Sequence, residues 1–238
     1  WVLRVHLAYH PVVLAPIALP RRPMRTSALL LLLIPVLPAA AQDRLETRLV
    51  VTQAGQEIGR EEFTLRPNRA RGLPGSTIIA AARYPATGPT TRLAATLERT
   101  PDTALAKFQL DVESAGAVTV ILAAGSGARL IVRTVAKGSE SGRELPGGPD
   151  VVLLDDSVFA LYHPVAELAT PAGRTLTAIF PRSGRRATFT ARRESGSAGG
   201  AARVTLSGDI TGTLVTDASG RLERLEFPAR GTVVTRQE

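Results

Sequence analysis

The chain has 238 residues, 44% of them hydrophobic, a formal net charge of +8 and no cysteine. The missing cysteine excludes disulfides, a thiolate metal site and a catalytic thiol. Of the three histidines only His163 lies beyond residue 41, which excludes a multi-histidine metal centre in the main part of the chain.

The chain opens at Trp1, and its only methionine is Met24. Residues 1–23 therefore read as an upstream extension. From Met24 the run MRTSALLLLLIPVLPAAAQ reads as a secretory signal over residues 24–41, with Arg25 at its head, an apolar core and Ala39, Ala40 and Ala41 as the cleavage site. The apolar run is shorter than the ~20 residues a spanning helix needs, and Pro35 and Pro38 break it, so a membrane anchor is the poorer reading. Cleavage before Gln42 predicts a periplasmic or secreted protein of residues 42–238. Losing Arg4, Arg21, Arg22 and Arg25, which no acid accompanies, halves the net charge to +4. A chain of that length buries about 70% of its unfolded surface in one domain, so it needs no staples.

In the mature chain, apolar and polar residues alternate with period two, the strand signal. LETRLVVTQ (45–53) and EIGREEFTL (57–65) flank Ala54-Gly55 and predict a hairpin. Residues 66–75 (RPNRARGLPG) read as a loop by composition. Strands follow at 76–84, 91–99 and 104–113, and residues 118–123 and 129–135 predict a hairpin around Gly125-Ser126-Gly127. Residues 138–149 (GSESGRELPGGP) read as a second loop. After residue 170, strands are expected at 175–180, 186–193, 202–206, 210–216, 221–227 and 231–236, with ESGSAGG (194–200) as a small-residue loop. About a dozen strands in one domain predict an all-β fold with one short helical segment.

That segment is VVLLDDSVFALYHPVAEL, residues 151–168, the one place where apolar residues recur at helical spacing. Asp155 and Asp156 are placed to cap the helix start, because a carboxylate accepts bonds from the unpaired N–H groups there. Pro164 lacks an N–H and should split the segment into two short helical turns or end the first. A lone helical segment in a β-rich chain plugs or covers one face of the sheet. Strands this rich in Ala, Val, Leu and Thr suit a curved sheet that leaves an apolar hollow.

The motifs that suggest chemistry are outweighed by plainer readings. VILAAGSGARL (120–130) matches the nucleotide loop of sugar-nucleotide nucleotidyltransferases at Gly125, Gly127 and Arg129, but no alternating βα pattern surrounds it, and a hairpin turn explains the same glycines. Asp156 and His163, seven residues apart, would be the only hydrolase pair, and a cap plus a surface or half-buried histidine is the simpler account. Glu61 and Glu62 are neighbours on a strand and point to opposite faces, so they do not form an acid/base couple. The arginines at 182, 185, 186, 192 and 193 alternate along a strand as a solvated face, and nucleic acid is not an expected partner.

Three stretches carry a resemblance. They are Val51, Gly55, Ile58 and Gly59 in the first hairpin, VLLDDSVF at 152–159, and DASGRLERLEFP at 217–228. Together they are similar to a family of exported bacterial β-rich proteins related to the lipoprotein-carrier (LolA/LolB-like) half-barrels. The resemblance implies a strongly curved antiparallel sheet wrapped around a short helix. It implies no catalytic residue. The expected protein is a non-enzymatic, monomeric binder of a lipid or another hydrophobic small molecule, without a cofactor. Phe159, Leu161, Tyr162 and His163 would face that ligand beside Asp155 and Asp156. A structural envelope protein with a filled core is the alternative, and a hydrolase using Asp156 and His163 is the third.

Overall fold

A computed structural model describes residues 45–85, 89–102, 104–194 and 201–237. The upstream extension, the signal, the expected cleavage site and most of the 194–200 loop lie outside these residues. Residues 41–238 cluster as one compact unit.

Fifteen strands form one sheet. In chain order they are β1 (Leu45–Gln53), β2 (Gln56–Ala70), β3 (Leu73–Tyr84), β4 (Thr91–Arg99), β5 (Leu105–Ser114), β6 (Ala117–Ser126), β7 (Arg129–Ala136) and β8 (Ser139–Pro146). Then come β9 (Val151–Leu153), β10 (Arg174–Phe180), β11 (Arg185–Arg193), β12 (Ala202–Gly208), β13 (Gly212–Thr216), β14 (Leu222–Phe227) and β15 (Thr232–Gln237). Neighbours are antiparallel except β9 and β10, which run parallel with Val152 opposite Ala178. β1 to β8 meander outward in one direction, β10 to β15 meander back from the far edge, and β15 closes against β1.

This order dictates curvature. β8 and β9 are the two edges of the sheet, yet only residues 147–150 join them. Laid flat, edges fourteen spacings apart would be about 67 Å from each other at ~4.8 Å per strand. The link can span at most about 18 Å. The sheet must therefore curl until its edges approach, and it does so without closing. Arg143 of β8 helps hold the curl, donating from Nη2 to the Pro181 carbonyl in the β10–β11 turn at 3.1 Å.

The edge at β8 looks like a loop in sequence because it is a strand exposed along almost its whole length. Its Glu140 and Glu144 pair with Arg133 and Arg129 of β7, and charges of this kind discourage a second chain from adding to an open edge. The expected loop at 66–75 is likewise strand. β2 and β3 stay paired from Arg60 opposite Arg83 to Ala70 opposite Leu73, with Pro67 and Pro74 accommodated near the hairpin end. Arg71 and Gly72 turn the chain with φ of +53° and +80°. Two positive φ values in sequence are what a two-residue hairpin of this twist requires.

Ala115, at φ +50° before Gly116, occupies a similar turn without a side chain suited to it. Ala115→Asn is expected to stabilise the protein by about 0.5–1 kcal/mol, because asparagine tolerates the left-handed region better than alanine. The shift in the urea midpoint measures it, and a midpoint that stays or falls would show that this turn is not strained.

The concave face carries the core. Leu49 and Val51, Leu93 and Ala95, and Phe189 and Ala191 point inward and alternate with exposed or half-exposed neighbours, and Ile78, Ala80, Leu176 and Ala178 are buried with them. The many inward alanines leave room, and the chain fills that room itself. Between β9 and β10 it forms a 3-10 turn (Phe159–Tyr162) that runs directly into helix α1 (His163–Leu168), with Pro164 in the first turn of α1, where its missing N–H leaves no helical bond unmade. Val158, Ala160, Leu161, Tyr162 and Val165 have no exposed surface. Burying a leucine or valine in this way stabilises the fold by roughly 1.5–3 kcal/mol each. The hollow expected from the small residues is thus packed by the crossover segment.

Candidate functional site

The crossover segment is anchored by polar groups that come from the sheet. Glu61 of β2 shares its face with Phe63 and points inward, with 1% of its surface exposed. The backbone N–H groups of Phe159 and Ala160 donate to its two carboxylate oxygens at 2.7 and 2.8 Å. These are the unpaired donors at the start of the 3-10 turn, so the cap is supplied from 98 residues earlier in the chain. Burial pushes the Glu61 carboxyl up to about 8 despite those two bonds, which favour the charged form.

Asp155 and Asp156 have other partners. The N-cap residue of the turn, Val158, makes no side-chain cap bond itself. Asp155, buried, accepts the Ser157 N–H at 2.8 Å and takes both arms of Arg182 at 2.9 and 2.8 Å. Burial pushes its carboxyl up, against the pull of Arg182. Asp156 faces outward and accepts from Arg185 at 2.9 Å and Arg230 at 2.6 Å. The two acids therefore tie the segment to the β10–β11 turn and to the chain before β15. The capping role expected of them falls to Glu61, because the chain bends at Asp156 and Ser157 and is extended at Val158, which carries the two acids away from the start of the turn.

The remaining predicted residues lie in the core. The rings of Phe159, Tyr162 and Phe227 pack together with centroids 5.1–6.2 Å apart. Leu161 is fully buried. The hydroxyls of Tyr162 and Tyr84 are buried without a hydrogen-bond partner among the described residues, and burial raises both phenols. The Tyr84 ring occupies the space above Gly59, where a Cβ would lie 2.1 Å from it.

His163 is buried with Nδ1 3.6 Å from Glu167 on the next turn, and Arg99 pairs with the same carboxylate. Burial lowers the imidazole, Glu167 raises it and Arg99 lowers it again. The carboxylate facing His163 is thus Glu167, whereas Asp156 is engaged by two arginines elsewhere. Sequence reasoning did not single out Arg99, and it weighed Glu61 only with Glu62 as an acid/base couple. Their strand parity was the available signal, since each lies two residues from an inward side chain, Leu97 and Phe63.

An opening of about 710 Å³ lies where the β2–β3, β4–β5, β6–β7 and β8–β9 connections meet. Leu73, Leu105, Leu130, Pro149 and Val151 give it apolar walls, and Arg71 and Asp102 stand among them as its charged groups. Arg71 reaches the Leu105 carbonyl at 3.4 Å, and Thr100 donates to Asp102, which holds that carboxyl below its usual range. The glycines of the 120–130 stretch serve the β6–β7 hairpin here. A Cβ at Gly125 would lie 2.4 Å from the Leu105 carbonyl oxygen, so glycine lets the two hairpins meet. A separate cleft of about 10 Å³ lies beside Leu97, Leu105, Val151 and Pro164, sharing Leu105 and Val151 with the opening. The volume falls within the range of small-molecule sites, as does the pairing of apolar walls with few polar groups.

Among the described residues no helix is long and apolar enough to cross a membrane. No protein-family model matches the chain, and no curated protein is significantly similar to it. Among solved structures, a DUF1089 family protein from Pseudomonas aeruginosa is similar at 16% identity and a TM-score of 0.43, covering 71% of this chain and 90% of that one.

Proposed function

We propose that this protein is a non-enzymatic carrier of an apolar or amphipathic, lipid-like molecule, held in the opening above Val151 at the end of the curled sheet. The carrying observation is the 710 Å³ apolar opening, with Arg71 and Asp102 set among its leucine and proline walls. This moves the ligand away from the place the sequence suggested, because Phe159, Leu161 and Tyr162 are enclosed by the core. An acyl chain would lie along Leu73, Leu105 and Leu130, and its polar end would meet Arg71. The reading also takes residues 24–41 as an export signal, so that the carrier works in the periplasm or outside the cell, and it draws on the likeness to half-barrel carriers.

Native mass spectrometry with lipid extraction tests it, on protein produced with its own leader and purified without detergent. A one-to-one adduct released by organic solvent supports the carrier. A bare mass, together with no uptake of a fluorescent fatty acid, overturns it. Leu73→Glu places a charge on the apolar wall and is expected to weaken fatty-acid binding about tenfold while leaving the urea midpoint unchanged, since Leu73 is 55% exposed. Equal binding by the variant would place the ligand elsewhere.

A second reading has its own support. A core filled by residues 158–169 suits a structural or interaction protein of the cell envelope, which needs no ligand at all. The bare-mass outcome favours it.

A further inference from the structure

A second hollow, of about 610 Å³, lies on the outward face of the sheet from β15 across β1 to β6, away from the opening proposed for the carrier. Register places its residues. Arg60 of β2 is directly opposite Arg83 of β3, and Arg83 is directly opposite Arg92 of β4. Three outward arginines thus stand in one row across three adjacent strands. Cross-strand partners of this kind have Cβ atoms roughly 5 Å apart, and like charges so placed destabilise a sheet. A row that costs stability and persists in a folded sequence marks a site where something else is gained.

Neighbouring carboxylates pair directly with the two ends of the row, and Glu57 acts on Arg83 only from a distance. Arg60 donates to Glu57 at 2.6 Å, and Arg92 lies 3.8 Å from Glu113. Arg83, in the middle, has no hydrogen bond or ion pair among the described residues. The other outward carboxylates of the hollow are already engaged. Glu62 pairs with Arg48 at 3.3 Å, and Asp111 accepts from Gln109 at 3.0 Å. The next outward row holds two alanines opposite each other, Ala81 and Ala94, and these short side chains give the hollow its depth beside the arginines.

We propose that this hollow binds an oxyanion, a phosphate- or sulfate-type group seated against Arg83 between Arg60 and Arg92, with a compact body resting on Ala81 and Ala94. Guanidinium groups match the oxygens of such an ion in pairs, and an anion at the centre of the row removes the repulsion along it. The same chemistry is offered by a lipid headgroup and by a free soluble anion.

Titration calorimetry on the full chain at low salt tests the proposal, with inorganic phosphate and with dihexanoyl phosphatidic acid below its micellar concentration as probes. Both are expected to bind, and 0.5 M salt is expected to displace them, as it screens an exposed pairing. Arg83→Gln is expected to weaken both at least about tenfold, the scale of one lost charge-assisted contact. Arg83 is exposed and makes no contact the fold needs, and Arg83→Lys, which keeps the charge but not the fork, is expected to fall in between. Ala94→Leu keeps every charge and fills the floor, and is expected to weaken the phosphatidic acid more than phosphate.

Tighter binding of the phosphatidic acid identifies a lipid headgroup, and equal binding a free oxyanion. Leu73→Glu should leave both titrations unchanged, which separates this site from the carrier opening. Absence of binding to the unaltered protein, or equal binding by Arg83→Gln, overturns the proposal.

Discussion

Glu61→Ala is expected to cost about 3 kcal/mol or more of folding stability, because it strips two buried N–H groups of their acceptor at ~1–3 kcal/mol each. Against the 5–15 kcal/mol that holds a typical domain together, this is a large share. The loss would fall on the crossover segment first, since Phe159 and Ala160 are where it is fixed to β2. A urea denaturation series reads it.

Glu61 also gives stability a pH dependence whose sign is fixed by burial. Its folded pKa of about 8 lies above the ordinary 4.5, so the folded state holds that proton more tightly than the unfolded chain does. Its contribution is complete below the ordinary value and is lost as pH rises through about 8. Glu61→Gln cannot titrate. Its amide offers only one oxygen to the two donors, so a cost of about 1–2 kcal/mol is expected. The decline of stability with rising pH should shrink in that variant. Parallel curves for the two proteins between acid and pH 9 would show that Glu61 is not the group responsible.

The second large effect belongs to Arg182. Arg182→Ala leaves the Asp155 carboxylate buried without its two guanidinium bonds, and breaking a buried pair from one side costs about 3–5 kcal/mol. Asp155 already has its carboxyl pushed up by burial, and loss of Arg182 pushes it further. The defect should therefore be greatest near neutral pH and shrink in acid, where Asp155 becomes neutral. Arg185→Ala removes an exposed partner of Asp156 and should cost less than about 1 kcal/mol. Thermal melts of the two variants at pH 7 and pH 4 give the comparison. A similar loss in both would mean that the burial of Asp155 carries no energetic weight.

Much of this architecture was legible in the residues. Alternation along 45–53 and 76–84 marked strands correctly, whereas Pro164 does not split the helical segment but sits in the first turn of α1, where a proline is tolerated. Composition misled at 66–75 and 138–149, where proline, asparagine, glycine and charge describe paired strands. One is a long hairpin end and the other an edge with solvent on nearly every side, and neither needs an apolar face. The acids misled for a different reason. Asp155 and Asp156 sit next to the helical turn in sequence, whereas its donors are met by Glu61, brought there by the curl of the sheet. Only tertiary structure makes that pairing. The inward alanines were read as space for a ligand, and small side chains across from a crossover are equally the room it needs for itself.

The pairing of β1 with β15 has a consequence for how this protein is made. The first and last strands of the domain are the middle of the sheet, so a growing chain holds an unfinished seam at its centre until residues 232–237 emerge. Those contacts span almost the whole domain, and pairings so distant in sequence form slowly. Trimming the last few residues would not fray a margin. It would divide the sheet into two halves joined only through the 147–150 link and the crossover, each with a raw edge where the seam had been.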